Sequence, residues 1–134
     1  MRERTLAVQR MQDYIEQNKT MEITLSDLAK VSLFSPWYSY RLFRDYLGLT
    51  PTEYIRKYRL TQAAKQLQAG NVRVIDAAYD AGFSNVDTFT RAFYREFGLN
   101  PSDYTKNLLR RFIPPFRKPL ILQGFLKTEY VTCF

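Results

Sequence analysis

The sequence predicts an all-α fold of seven helices followed by a short β-like C-terminal tail. Three observations carry that expectation. Apolar residues recur at helical spacing through the first 105 positions, start and stop signals cut that stretch into seven segments, and the central part of the pattern occurs twice, about fifty residues apart. With 134 residues and 46% hydrophobic content, the chain has the apolar surface to bury a real core.

In order along the chain, Ala7, Met11, Tyr14 and Ile15 mark an amphipathic first helix. Thr24 with Asp27 three residues on forms a capping box, with Asp in place of the preferred Glu, and opens a short helix ending near Val31. Ser35 and Pro36 open a third helix, since proline's missing N–H has no partner in a first turn anyway, and Gly48 after Leu47 supplies a left-handed stop. Thr50, Pro51 and Glu53 repeat the start signal and launch a long helix, whose Leu60, Ala64 and Leu67 keep one apolar face until Gly70. Val74 to Ala81, Val86 to Phe97 before Gly98, and a helix from Pro101 capped by Asn100 complete the series. The tail passes Pro114, Pro115 and Pro119 and turns β-like from Leu120 to Phe134 around Gly124. Two short strands do not stand alone. They either pack on the helices or begin an effector-binding domain, and the apolar run Tyr130 to Phe134 favours the second idea.

The repeat is residue-specific. Arg41, Phe43, Gly48, Leu49, Pro51 and Tyr54 recur as Arg91, Phe93, Gly98, Leu99, Pro101 and Tyr104, at an offset of 50. Leu28, Ala29, Phe34 and Ser35 match Ala77, Ala78, Phe83 and Ser84 at an offset of 49, so the second copy holds one extra residue just before its longer helix. Each copy reads as short helix, tight turn, longer helix, the order of a helix-turn-helix. The expected organisation is a first helix-turn-helix subdomain over 1–49, a linker helix over 50–70, a second subdomain over 71–110 and the tail over 111–134. An all-helical bundle built from repeated packing units explains the same periodicity, so the outward chemistry must decide.

Composition removes several function classes. Without histidine, and with Cys133 as the lone cysteine, the Ser-His, Cys-His and zinc-ligand sets cannot be assembled, and no Gly-rich phosphate loop appears. The acidic residues fall at helix starts and on helix faces, where capping and solvation account for them. No catalytic residue, metal site or cofactor is expected, and Cys133 reads as an inert thiol. The absence of a long apolar run predicts a cytoplasmic protein that does not enter membranes. Net charge is +7, yet residues 106–134 carry +5 of it (Lys106, Arg110, Arg111, Arg117, Lys118 and Lys127 against Glu129), leaving +2 for the first 105. Placement of charge, rather than its total, must carry any argument for a polyanionic partner.

On the first longer helix, Leu42, Phe43 and Tyr46 have the spacing of a buried face, which leaves Trp37, Tyr40, Arg41 and Arg44 for the outside. Arginine binds guanine O6 and N7 bidentately, and aromatic rings pack on thymine methyl groups or sugars. Burial of Trp37 and Tyr40 in the core is the alternative. On the second, Phe89, Ala92, Phe93 and Phe97 form the inner face, leaving Val86, Asp87, Thr90, Arg91 and Tyr94. Val86 suits a thymine methyl, Asp87 an acceptor for cytosine N4, and Thr90 and Arg91 a base or phosphate. Asp87 equally suits the start of its own helix. Ser35, Arg44, Ser84, Asn85 and Arg95, at the starts and flanks of the same helices, are assigned to phosphates.

These residues resemble the DNA-binding domain of the AraC/XylS regulators, in its stand-alone seven-helix, MarA-like form, over about Ala7 to Asn107. The second-half spacing of Ala77, Ala78, Gly82, Phe83, Ser84, Phe89, Arg91, Phe93, Phe97, Gly98, Pro101 and Tyr104 is similar to the family signature. The resemblance implies a sequence-specific transcription regulator, an activator, that binds double-stranded DNA as a monomer and has RNA polymerase as a partner. It implies that Trp37, Tyr40 and Arg41 read bases from the first unit, and that Val86, Asp87, Thr90 and Arg91 hold the matching positions in the second. The linker helix, at ~1.5 Å per residue, would be roughly 28 Å long, of the order of the distance between successive groove segments. Two departures stand out: Ser39 replaces a large apolar residue, and Val86 and Asp87 replace longer neutral polar ones. A protein-interaction module acting on RNA polymerase or a partner regulator, without sequence-specific DNA reading, is the competing function.

Overall fold

In a computed structural model, the structure describes residues 2–70, 72–106, 118–122 and 125–131. Seven helices run through the described residues: α1 (Arg2–Gln17), α2 (Leu25–Ser32), α3 (Pro36–Leu47), α4 (Pro51–Ala69), α5 (Val74–Asp80), α6 (Val86–Phe97) and α7 (Pro101–Lys106). Two strands follow, β1 (Lys118–Leu122) and β2 (Phe125–Val131). They pair antiparallel from Leu122↔Phe125 to Lys118↔Val131, with a register shift between Pro119 and Leu120, where a residue lacking an N–H breaks the ladder. The strands thus start two residues before the expected Leu120, and the expected turn at Gly124 lies outside the described residues. So do Cys133, Arg110, Arg111, Arg117 and the expected boundary at 110/111. No helix among the described residues is long and apolar enough to cross a membrane.

The caps form as the sequence dictates. Thr24 Oγ1 accepts from the Asp27 N–H at 3.1 Å, and the Asp27 carboxylate accepts from the Thr24 N–H at 3.0 Å. That backbone bond is the main reason the Asp27 carboxyl is held below its ordinary value. Thr50 and Glu53 make the same reciprocal pair at the start of α4, at 3.0 and 3.2 Å. Ser35 Oγ accepts from the Tyr38 N–H at 3.2 Å to start α3, and left-handed Gly48 ends it.

The chain divides into two compact units, the first comprising Met1–Ile55 with the strand segment, and the second beginning at Arg56. The division falls inside α4, so the long helix belongs to both units. In the first unit, Ala7, Val8, Met11 and Ile15 of α1 join Leu28, Ala29, Leu42, Phe43, Leu47 and Tyr54 in a buried core. Tyr54, in the first turn of α4, sits edge-on to Phe43 at 5.2 Å and accepts from buried Gln12 Nε2 at 3.2 Å. In the second unit, Leu60, Ala63, Ala64 and Leu67 of α4 pack with Ala77, Ala78, Phe89, Phe93 and Tyr104. Lys57 bridges to Glu96 at 3.1 Å, tying the last turn of α6 to α4.

The two turns between paired helices solve one backbone problem differently. Gly82 holds φ +89°, and a Cβ there would stand 2.9 Å from Arg59 Nη1, whose guanidinium is partly buried and thereby pulled below its ordinary pKa. Its counterpart in the first repeat is Leu33, a leucine at φ 69° with 76% of its surface exposed. A left-handed conformation costs a β-carbon-bearing residue roughly 1–2 kcal/mol. Gly82→Ala is therefore expected to lower unfolding stability by about 1–2 kcal/mol. Leu33→Gly relieves strain while adding unfolded-chain entropy, and is expected to be neutral or stabilising by up to about 1 kcal/mol. Urea denaturation of both variants checks this, and a clear loss for Leu33→Gly would contradict the strain at Leu33.

Candidate nucleic-acid interface

Helix α3 turns Ser39, Leu42, Phe43 and Leu47 inward. Trp37 stands 66% exposed, which decides against the core reading for that residue, and Arg41 and Arg44 are exposed too. Tyr40 is half-buried, as is Tyr46, which the spacing expected inside. The indole of Trp37 stacks on the Tyr40 ring with centroids 5.8 Å apart and planes 7° from parallel, and the Arg44 guanidinium lies 5.9 Å from the Tyr40 centroid. Arg44 also reaches Asp45 at 3.6 Å.

Helix α6 turns Phe89, Ala92 and Phe93 inward. Asp87, Arg91, Tyr94 and Arg95 are exposed, Thr90 is half-buried, and Val86 is half-buried against the core with Phe97. The N-cap is Asn85, whose side-chain oxygen accepts from the Thr88 N–H at 2.8 Å. Asp87 is therefore not the N-cap, and it lies in the first turn of α6, where a carboxylate favours the helix dipole. The Asp87 carboxylate makes no ion pair or hydrogen bond among the described residues. Ser35 and Asn85 both spend a side-chain oxygen on capping, while Ser84 is exposed beside the cap. An open concavity on this face is lined by Thr90, Arg91, Tyr94, Arg95 and Asn100. Tyr94 and Asn100 were not among the expected contacts; the signal for Tyr94 was its place one turn after Thr90 and Arg91.

Sequence reasoning also missed how α2 and α3 are locked. The buried hydroxyls of Ser32 and Ser39 lie 2.6 Å apart. Ser32 Oγ also lies 3.1 Å from the Ala29 carbonyl, an acceptor for its hydrogen, and accepts from the Phe34 N–H at 3.1 Å. Aligned on the repeat, Ser39 stands where the second unit has Phe89, and Ser32 where it has Ala81. Phe83 meets Phe89 edge-on at 5.5 Å, whereas Phe34 finds its ring partner in Tyr38, at 5.0 Å. A hydroxyl pair thus takes the place of a phenyl ring in the first unit.

Residues 28–107 match the family model described as a helix-turn-helix domain. The chain is 38% identical over 91 residues to the HTH-type transcriptional activator AarP of Providencia stuartii, covering 68% of this chain and 67% of AarP. It is 37% identical over 101 residues to the regulatory protein SoxS of Salmonella typhimurium, covering 75% of this chain and 94% of SoxS. The chain belongs to the AraC/XylS family. As a member of the AraC/XylS family it is a DNA-binding transcription regulator and not an enzyme. Its fold also matches the DNA-binding domain of AdpA, solved in complex with a target DNA, with a TM-score of 0.71 over 78% of this chain and 95% of that one. At 21% identity that likeness concerns the fold alone. Ser39 is the departure from the AraC/XylS pattern that the structure accounts for, through its bond to Ser32.

Removing that bond is expected to cost about 1 kcal/mol in Ser39→Ala, the usual net value of one such hydrogen bond. Ser39→Leu is expected to cost about 1–3 kcal/mol by overpacking the site. Thermal unfolding of both variants tests the ordering, and a Ser39→Leu protein more stable than wild type would show unfilled space beneath α3.

Proposed function

We propose that this chain binds an asymmetric two-block DNA site as a monomer, with α3 and α6 each entering a segment of major groove. The observation that carries the proposal is the twin arrangement of α3 and α6. Each is a 12-residue helix with a side-chain N-cap, a buried phenylalanine (Phe43 or Phe93) on its inner face and an outward face of arginine and aromatic residues. Trp37 and Arg41, with Tyr40 beside them, meet the bases of the first block, Trp37 by packing on a thymine methyl and Arg41 by a bidentate bond to guanine. Val86, Asp87, Thr90 and Arg91 face the second block. The half-burial of Val86 leaves it an edge contact, and the bare carboxylate of Asp87 favours cytosine, whose N4 donates. Arg44, Arg95, Ser84 and the free hydrogens of Ser35 and Asn85 suit phosphate oxygens. The likeness to AarP, a transcriptional activator, supports an activator, which implies contact with RNA polymerase, and the composition supports a cytoplasmic protein.

Selection from randomised duplex DNA, followed by titration, tests this reading. Arg41→Ala is expected to cost about 1–3 kcal/mol on the selected site and to relax base choice in one block only. Equal losses on selected and random DNA would make Arg41 a phosphate contact. Asp87→Asn is expected to relax choice in the other block and to raise binding to random DNA, because it removes a negative charge facing phosphates.

Helix α4 tests the two-unit architecture. Inserting two alanines between Ile55 and Arg56, where the units divide, keeps Tyr54 on the side of the first core and Leu60, Ala63, Ala64 and Leu67 together on the side of the second. It also turns the second unit by about 200° relative to wild type. Affinity is expected to fall toward that of one unit, with circular dichroism unchanged. A folded insertion variant with wild-type affinity and the same footprint would contradict simultaneous docking.

A further inference from the structure

Resting on the reading of α3 as a DNA-contacting helix, we propose that Tyr40 is a positioning residue whose ring holds the Trp37 indole and the Arg44 guanidinium in one orientation, and that it does not itself read a base. Residues 37, 40 and 44 are spaced three and four apart, so they form one stripe along the helix, with Trp37 a turn before Tyr40 and Arg44 a turn after. The rings of Trp37 and Tyr40 are 7° from parallel at 5.8 Å, and the guanidinium is 5.9 Å from the Tyr40 centroid. The middle member is half-buried and the end member is 66% exposed. The geometry is that of a ring anchored in the helix surface carrying a neighbour that would otherwise swing freely.

An exposed indole on a helix has several accessible rotamers, and freezing it on binding costs affinity. Stacking on Tyr40 removes part of that cost before DNA arrives, and the cation–π contact does the same for Arg44. With its ring engaged by both neighbours, Tyr40 keeps only the phenol hydroxyl as a group able to read a base edge. Hydroxyl and ring can be separated by mutation. The second unit has no such device, because the positions matching 37, 40 and 44 are Asp87, Thr90 and Tyr94.

Trp37 is the only tryptophan in the sequence, so indole fluorescence reports this stack alone. In the free full-length protein, Tyr40→Ala is expected to raise acrylamide quenching of Trp37, while Tyr40→Phe stays at the wild-type value. On the duplex selected by the wild-type protein, Tyr40→Ala is expected to lose about three- to tenfold in affinity, the scale of one aromatic contact, and Tyr40→Phe to stay within about twofold. The base preferences of Tyr40→Phe should be those of wild type. Circular dichroism serves as the folding control. Tyr40→Phe losing as much as Tyr40→Ala, with an altered base preference, would make the hydroxyl a direct reader and overturn the proposal. Quenching unmoved in Tyr40→Ala would overturn it from the other side, by showing that the ring holds nothing. A wild-type chain that selects no duplex would sink the DNA reading of α3 and with it the purpose of the stack, and the free-protein quenching would show separately whether the stack exists.

Discussion

The contact on which each unit depends is an edge-on pair between a phenylalanine of its longer helix and a tyrosine one turn into the next helix. Phe43 meets Tyr54 at 5.2 Å and 89°, and Phe93 meets Tyr104 at 5.6 Å and 68°. The chain reaches this pair by one local route in both copies: a left-handed glycine, a leucine, a proline-started helix, and the tyrosine as its fourth residue. Such pairs contribute about 0.5–1.5 kcal/mol beyond the area they bury. Their larger effect is rotational. Arg41 lies two residues before Phe43, and Arg91 two before Phe93, which is roughly 200° around a helix. Burying the ring therefore turns the arginine outward, and the functional face is set by the core beneath it.

The two units use that constraint on different interiors. In the second, Phe83, Phe89, Phe93 and Phe97 make a continuous aromatic cluster closed by Tyr104. In the first, Ser39 replaces the ring that Phe89 supplies, and the space between α2 and α3 is bridged by hydroxyls. Ser32 there has the Ala29 carbonyl, the Phe34 N–H and the Ser39 hydroxyl as partners, so the polar substitution leaves its buried oxygen hydrogen-bonded. A satisfied buried hydrogen-bond network of this kind rigidifies and specifies the core around it.

What the sequence made legible was local. The boxes at Thr24/Asp27 and Thr50/Glu53 and the caps at Ser35 and Gly48 involve groups within four residues of each other, and each forms where the spacing requires. What stayed hidden needed a partner far along the chain or a choice between equivalent neighbours. Ser84, Asn85 and Asp87 all have the chemistry to start α6, and only the backbone angles select Asn85. Val86 sits at the boundary of the α6 stripe, where the neighbouring core half-covers it. The linker reading of 50–70 missed that Tyr54 is packed into the first core, because its partners, Gln12 and Phe43, lie 42 and 11 residues away. Helix α4 is thus a shared structural member whose two ends are built into different interiors.

That placement bears on how such a domain separates its own site from bulk DNA. Phosphate attraction grows with the number of basic side chains set against the backbone, and it is blind to sequence. The first 105 residues have a formal charge of only +2, and one outward position on α6 carries an unpaired carboxylate. In the proposed mode of binding, the helical part contributes little bulk charge, so its affinity rests on groups held in fixed orientation: a stacked indole, two arginines turned outward by buried phenylalanines, and capped helix starts. In that mode the base-facing groups lose value when the opposing bases are wrong, whereas the capped helix starts, set against phosphates, fix position without reading sequence. The rigidity of the two cores then favours discrimination, because contacts that cannot adjust are the ones that distinguish one base pair from another.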